Sequence, residues 1–138
     1  MTDDHRSDAT GIDGRGLPAG YLYRPEWERT PRETAAQLQA PGGPDTPLLI
    51  DCRTEQERMI ASIAGSMFVP LHLLEQRIDE IRERLDEEGK RVLVVHCHHG
   101  VRSLRATAIL RAAGFDAHSL AGGIDLWSRD IDRSIPTY

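Results

Sequence analysis

"RVLVVHCHHGVRSLRATAILRAAG", residues 91–114, decides the fold. Val92, Leu93, Val94 and Val95 form a continuous branched-aliphatic run, the pattern of a strand covered on both faces and hence of a parallel sheet. The run delivers Cys97 into a short loop, after which Ser103 is expected to start a helix about six residues on. Leu104, Ala108 and Ile109 supply the apolar side of that helix, and Gly114 stops it. A buried strand, a tight loop and a helix make one β-α unit.

Further units flank it. "PLLIDC" reads as a second buried strand ending near Asp51, and "GSMFVP" as a brief one closed by Pro70. "FDAHSLAGG" supplies another strand, followed by a last helix in "IDLWSRDI". Thr30, Pro31 and Glu33 combine an N-cap, a first-turn proline and a capping box for a helix over residues 31–40; Thr54 caps a shorter one. Leu74, Ile78, Ile81 and Leu85 recur at helical spacing up to Gly89, so residues 71–89 read as the clearest helix. Strands alternating with helices through short punctuated loops predict an α/β domain with a mainly parallel sheet. Residues 1–16 are nearly free of apolar side chains and are expected to be a disordered tail, leaving a single domain over 17–138. "GLPAGYLYRPEW" reads as an ordered, extended surface segment.

Composition narrows the function. The 138 residues are 39% hydrophobic and 28% charged, with net charge −5 and no run of basic residues, which disfavours nucleic acid and anionic membrane as partners. Lys90 is the only lysine. No apolar stretch approaches a membrane span and the N-terminus lacks a secretory pattern, so a cytoplasmic location is expected. There Cys52 and Cys97 remain thiols.

A thiol placed at the carboxyl end of a central strand sits where open α/β sheets bind ligands. Gly100 lets the backbone turn inward so that successive N–H groups address one point; the next helix adds its positive end and Arg102 a full charge. Each favours thiolate over thiol, making Cys97 a candidate nucleophile. Cys52, within an apolar strand, reads as core packing, with a resolving-thiol role as the alternative. His96, His98 and His99 cluster about Cys97, but a structural zinc site needs about four ligands, usually in spaced pairs. No second pair is evident, so neither metal nor cofactor is expected. Trp27 and Trp127 read as packing residues, Arg105 and Arg111 as solubilising ones on a helix surface. Two chemistries use such a cradle. Cysteine phosphatases and arsenate reductases place five residues between cysteine and arginine to surround a tetrahedral oxyanion, whereas here four intervene, His98, His99, Gly100 and Val101. The smaller ring suits a single added sulfur.

"CHHGVRS" resembles the six-residue active loop, C-x-x-G-x-[RS]-S, of the rhodanese-like sulfurtransferases. "LLIDCRTEQE" is similar to that family's D-x-R-x-x-x-E segment, with Asp51, Arg53 and Glu57 in place; "IAGSMFVP" and "AGFDAHSLAGGIDLWS" resemble its following and closing segments. Together they cover about residues 48–129. Ser62 stands where the family usually has a histidine, which reads as a local structural change. The ending "IDLWSRDIDRSIPTY" is similar to small bacterial rhodanese-like proteins and to rhodanese modules fused to cofactor-biosynthesis enzymes.

The resemblance implies a three-layer α/β/α fold with a five-stranded sheet. It also implies transfer of sulfane sulfur, from thiosulfate or a similar donor to cyanide or a thiol, through a Cys97 persulfide. Cys97 would be catalytic, and His98, His99, Gly100, Val101, Arg102 and Ser103 would bind substrate. His99 and Arg102 would meet the departing oxyanion, with Asp51 and Arg53 in support, more as a structural pair than as contacts. Acceptors are expected to be small molecules, a protein thiol or a sulfur-carrier protein. A sulfur-relay or interaction module is the alternative to a free-standing enzyme; retention of Cys97 and Arg102 argues against a purely non-catalytic role.

Overall fold

The computed structural model describes residues 11–40 and 42–138. In chain order its elements are β1 (Glu28–Arg29), α1 (Pro31–Gln39), β2 (Leu48–Asp51), α2 (Glu55–Ile60), β3 (Met67–Phe68), α3 (Ile78–Glu88), β4 (Val92–His96), α4 (Val101–Ala112), β5 (Asp116–Leu120) and α5 (Gly123–Asp130). The strands form one five-stranded sheet, ordered β1-β5-β4-β2-β3, with every pairing parallel. β4 is central and all five of its residues are buried, as its unbroken apolar run requires.

Alternation along the strands builds the two faces. Leu48, Ile50, Leu93 and Val95 pack with Ile81, Leu85, Ala106 and Leu110 of α3 and α4. Leu49, Val94 and Leu120 turn the other way, against Ala35, Ile124 and Trp127 of α1 and α5. The result is the expected α/β/α sandwich. Both expected capping boxes are present: Thr30 with Glu33 opens α1 and Thr54 with Glu57 opens α2. Among the described residues no helix is long and apolar enough to cross a membrane.

Four local expectations need correction. The helix expected over 71–89 is broken: Leu71–Leu73 and Glu75–Arg77 are 3-10 turns, and α3 begins only at Ile78. The break lets Leu74 drop fully into the core while Arg77 Nη1 donates 2.9 Å to the Phe68 carbonyl. Second, α4 starts at Val101 rather than Ser103, because Gly100 at φ +112° is itself its N-cap. Third, β1 arises from two polar residues with no strand pattern. Its Glu28 carboxylate is buried, accepting bonds from the Tyr21 hydroxyl and, at 2.8 Å, from the Arg24 amide. The tail expected to reach residue 16 is the fourth. Residues 1–10 lie outside the described residues, but Ile12 and Leu17 are buried against Ala121 and Leu126. Asp13 Oδ1 holds that turn by accepting the Arg15 amide at 2.9 Å and the Leu17 amide at 3.2 Å.

Arg111 also does more than solubilise: its guanidinium lies 4.3 Å from the Trp27 ring centroid and donates to the Ala117 carbonyl at 2.8 Å. Ile12→Ala tests whether the early turn is part of the core. It should cost about 2–4 kcal/mol in urea unfolding, against well under 1 for truncation of a solvated tail residue.

Candidate functional site

β4 ends at His96, so Cys97 leaves the sheet at its centre, on the carboxyl edge. The loop then curls about the sulfur. Gly100 N–H donates to Cys97 Sγ at 3.0 Å and Ser103 N–H at 3.4 Å, while the Ser103 hydroxyl lies 3.4 Å from the sulfur. Ser103 Oγ in turn lies 2.7 Å from Ser119 Oγ on β5. Cys97 is 1% exposed, deeper than its edge position suggests, yet the amides face it. Gly100 supplies a φ of +112° that a side-chain-bearing residue would hold only under strain.

Turning the N–H groups inward leaves the loop carbonyls pointing out. The first turn of α5 receives them: Ile124 N–H donates to the Cys97 carbonyl at 2.9 Å and Asp125 N–H to the His98 carbonyl at 3.1 Å. Gly123 makes this approach feasible, since a Cβ there would stand 2.4 Å from the His98 oxygen and 2.6 Å from that of Cys97. The closing glycine pair is part of the site's scaffold, a role that sequence reading did not assign it.

Arg102 is not free. Its two terminal nitrogens reach Glu57 Oε1 at 2.5 Å and Oε2 at 2.8 Å, a bidentate bridge from α4 to α2. The Arg102 hydrogen bonds, opposed by partial burial, hold the Glu57 carboxyl far below the usual carboxylate range. The Tyr138 hydroxyl also donates to Glu57 Oε2, at 2.7 Å. Glu57 and Tyr138 are therefore site residues beyond the sequence candidates. Glu57 had a signal, its place in the D-x-R-x-x-x-E segment; Tyr138 had none.

Asp51 and Arg53 lie together, fully buried, at the end of β2. Arg53 Nε and Nη2 each donate to the Asp51 carboxylate at 2.8 Å, Nη2 reaches the Ala61 carbonyl at 2.6 Å, and Nη1 meets the Tyr138 hydroxyl at 2.9 Å. Arg58 adds a third cationic contact to Asp51 at 3.0 Å. This cluster braces the strand ends beneath the loop. His96, paired with Asp51 in strand register, is buried with neither ring nitrogen bonded. Burial, partly opposed by the Asp51 charge, pushes its imidazole down to about 4.

Cys52 is buried beside Cys97 in the same core cluster, and burial pushes its thiol far up, followed by the charges of Cys97 and Asp51. It lines a cavity of about 600 Å³ together with Leu71, His72, Arg102, Arg105 and Ile109. Val101 is exposed at the outer end of the loop. His98 stacks on Tyr138, with centroids 4.0 Å apart and rings 8° from parallel. The His99 side chain is 63% exposed, with Nε2 3.9 Å from Asp125 Oδ2.

A family model described as "Rhodanese-like domain" matches residues 31–130. The thiosulfate sulfurtransferase GlpE of Pseudomonas fluorescens is 35% identical over 103 residues, covering 74% of this chain and 85% of that protein. The maize protein named adenylyltransferase and sulfurtransferase MOCS3-1 is 40% identical over 93 residues, 66% of this chain but only 20% of its own length. The chain thus spans about a fifth of that relative. The solved human single-domain sulfurtransferase TSTD1 superposes with a TM-score of 0.59 at 25% identity, over 72% of this chain and 93% of that one.

Two outcomes are expected from the geometry. Gly123→Ala should lower the melting temperature by several degrees, because the methyl group meets backbone rather than a yielding side chain. His96 contributes through proton linkage. Its folded-state value of about 4 lies below the ordinary 6.5, so unfolded chains bind the extra proton first. Stability should therefore be full above pH 6.5 and fall as the pH drops toward 4, by up to about 3 kcal/mol. Urea titrations across that window should show the slope, and His96→Leu should reduce it, leaving the share of His98 and His118, whose imidazoles burial also pushes down.

Proposed function

Because the chain belongs to the rhodanese-like sulfurtransferase family, we propose that it moves a sulfane sulfur from thiosulfate or a comparable donor to cyanide or a thiol through a persulfide on Cys97. The observation that carries this reading is the convergence of the Gly100 and Ser103 amides on Cys97 Sγ. Those donors stabilise negative charge at the sulfur without reorganising during the reaction.

The Cys97 thiolate attacks the outer sulfur of thiosulfate. The new S–S bond takes its electron pair from the thiolate, the donor's own S–S bond breaks, and sulfite leaves with that pair. The terminal sulfur of the persulfide remains anionic within the ring of amides. Cyanide or an acceptor thiolate then attacks that terminal sulfur, producing thiocyanate or a new persulfide and returning Cys97 to thiolate. The cavity beside the loop is lined by Arg105 and Arg102 against the single carboxylate of Glu75, a balance that favours an anionic donor there. His99, exposed at the rim, is available to the leaving sulfite. Arg102, held by Glu57, acts first as a strut between α4 and α2, and meets the oxyanion only if that bridge opens.

Phosphatase chemistry is the weaker reading. The loop carries one residue fewer between cysteine and arginine than a phosphate cradle, and its arginine is already engaged by a carboxylate. A sulfur-relay role has more support, from the likeness to the maize adenylyltransferase and sulfurtransferase. In that setting the acceptor would be a protein thiol or a sulfur-carrier protein. No further cofactor is invoked.

Incubation with thiosulfate should add one sulfur atom to the intact mass, and subsequent cyanide should remove it as thiocyanate. Cys97→Ser should abolish both; Cys52→Ser, which removes a buried neutral thiol, should leave most of the transfer. An unchanged mass, or equal loss in the two variants, would count against the assignment, as would hydrolysis of p-nitrophenyl phosphate at a comparable rate.

A further inference from the structure

We infer that His98, His99 and Asp125 form a binding site for one borderline-soft divalent cation, best suited to Zn²⁺, on the rim of the Cys97 loop. One ring nitrogen from each histidine and one Asp125 carboxylate oxygen all lie within 4.8 Å of one another. Two imidazoles and a carboxylate, leaving a coordination position for water, are a donor set that zinc accepts at bond lengths of about 2.0–2.2 Å. Donors sharing a tetrahedral ion at that length stand roughly 3.3 Å apart, so no gap needs to close by more than about 1.5 Å. Rotation of the exposed His99 side chain and of Asp125 supplies that closure.

Two observations separate this cluster from a chance grouping of surface side chains. The first is that the segments bearing the donors are already fastened together. Asp125 N–H bonds the His98 carbonyl at 3.1 Å, Ile124 N–H bonds the Cys97 carbonyl at 2.9 Å, and Gly123 lies against both. Little backbone motion remains to be lost on binding. The second is the state of His98. Its Nε2 is buried without a hydrogen-bond partner, while the ring is held between those of Tyr138 and His99, with centroids 4.0 and 3.9 Å away. A neutral imidazole keeps a lone pair on one ring nitrogen, and a positioned ring whose nitrogen has no other partner is what a metal-binding histidine presents. A buried imidazole nitrogen with no partner is otherwise an unfavourable feature.

The spacing of the sequence hides this site because the third donor arrives on a separate helix. A cation bound there would staple the loop to α5 and occupy His99, so it would act as a reversible brake on the loop. The site itself does not depend on the sulfur-transfer reading, and its test uses a protein that cannot carry sulfur.

Titration calorimetry of the full chain carrying Cys97→Ser, with Zn²⁺ in chelator-free buffer, reads the site without thiolate ligation at Cys97. One ion per chain should bind. Adding His99→Gln or Asp125→Asn to that background should each weaken binding by about tenfold or more while leaving the far-ultraviolet circular dichroism unchanged. His99 is exposed enough that its replacement should not disturb folding, which keeps the test decisive if the Asp125 variant proves unstable. Absence of saturable one-to-one binding would overturn the inference. So would binding that survives the substitutions, since the ion would then lie elsewhere, for example at Asp116 and His118.

Discussion

When a loop turns its amides toward one sulfur, its carbonyls must face the other way, and in a packed domain they cannot be left without donors. Here the N-terminal turn of α5 provides those donors, and Gly123 is the residue that lets it come close enough. The rest of the site follows from this constraint. With the Cys97 and His98 carbonyls pinned from outside, the first two peptides of the loop are fixed, and the chain enters the Gly100 turn from a set direction, with the Gly100 and Ser103 amides on Cys97 Sγ. The first turn of α5 thus helps set the shape of a loop that begins more than 20 positions earlier in the chain.

Beneath the loop, charge is arranged in two closed circuits. Asp51 is shared by the buried Arg53 and the half-buried Arg58, and Glu57 neutralises Arg102 nearer the surface. Tyr138 joins the two by touching both Arg53 and Glu57. Burying ions in this way adds less to stability than it does to definition, because an unpaired member would be strongly penalised and alternative packings are thereby excluded. The arrangement leaves Arg105 as a cation on the cavity wall with no acid bonded to it among the described residues.

Much of this was legible in the chain. The buried run before Cys97, the capping boxes at Thr30 and Thr54, and the helical spacing from Ile78 to Leu85 each express a local rule that tertiary packing did not override. The loop's sulfur-directed amides were inferable from Gly100 and the strand end. What was not legible depended on distant partners. β1 takes its form from β5 rather than from its own polar residues, and Leu74 is pulled from helical register by the core. Ile12 is a lone apolar residue in a polar stretch whose burial needs Ala121 and Leu126. Arg102 looked like a free cation because its carboxylate partner lies 45 residues away, and Tyr138 offered no local pattern at all.

A parallel sheet sends all its strand ends to the same side, which gives the molecule a front and a back. Lys90 sits at the back, just before β4 begins, with its ammonium 2.8 Å from Glu88, whereas Cys97 emerges from the front of the same strand. At least the length of that strand, roughly 16 Å at ordinary β rise, separates the two. As the only lysine, Lys90 offers amine-reactive surfaces and fluorophores a single side-chain anchor, and a molecule tethered through it would present its thiol loop outward, uniformly oriented toward solution.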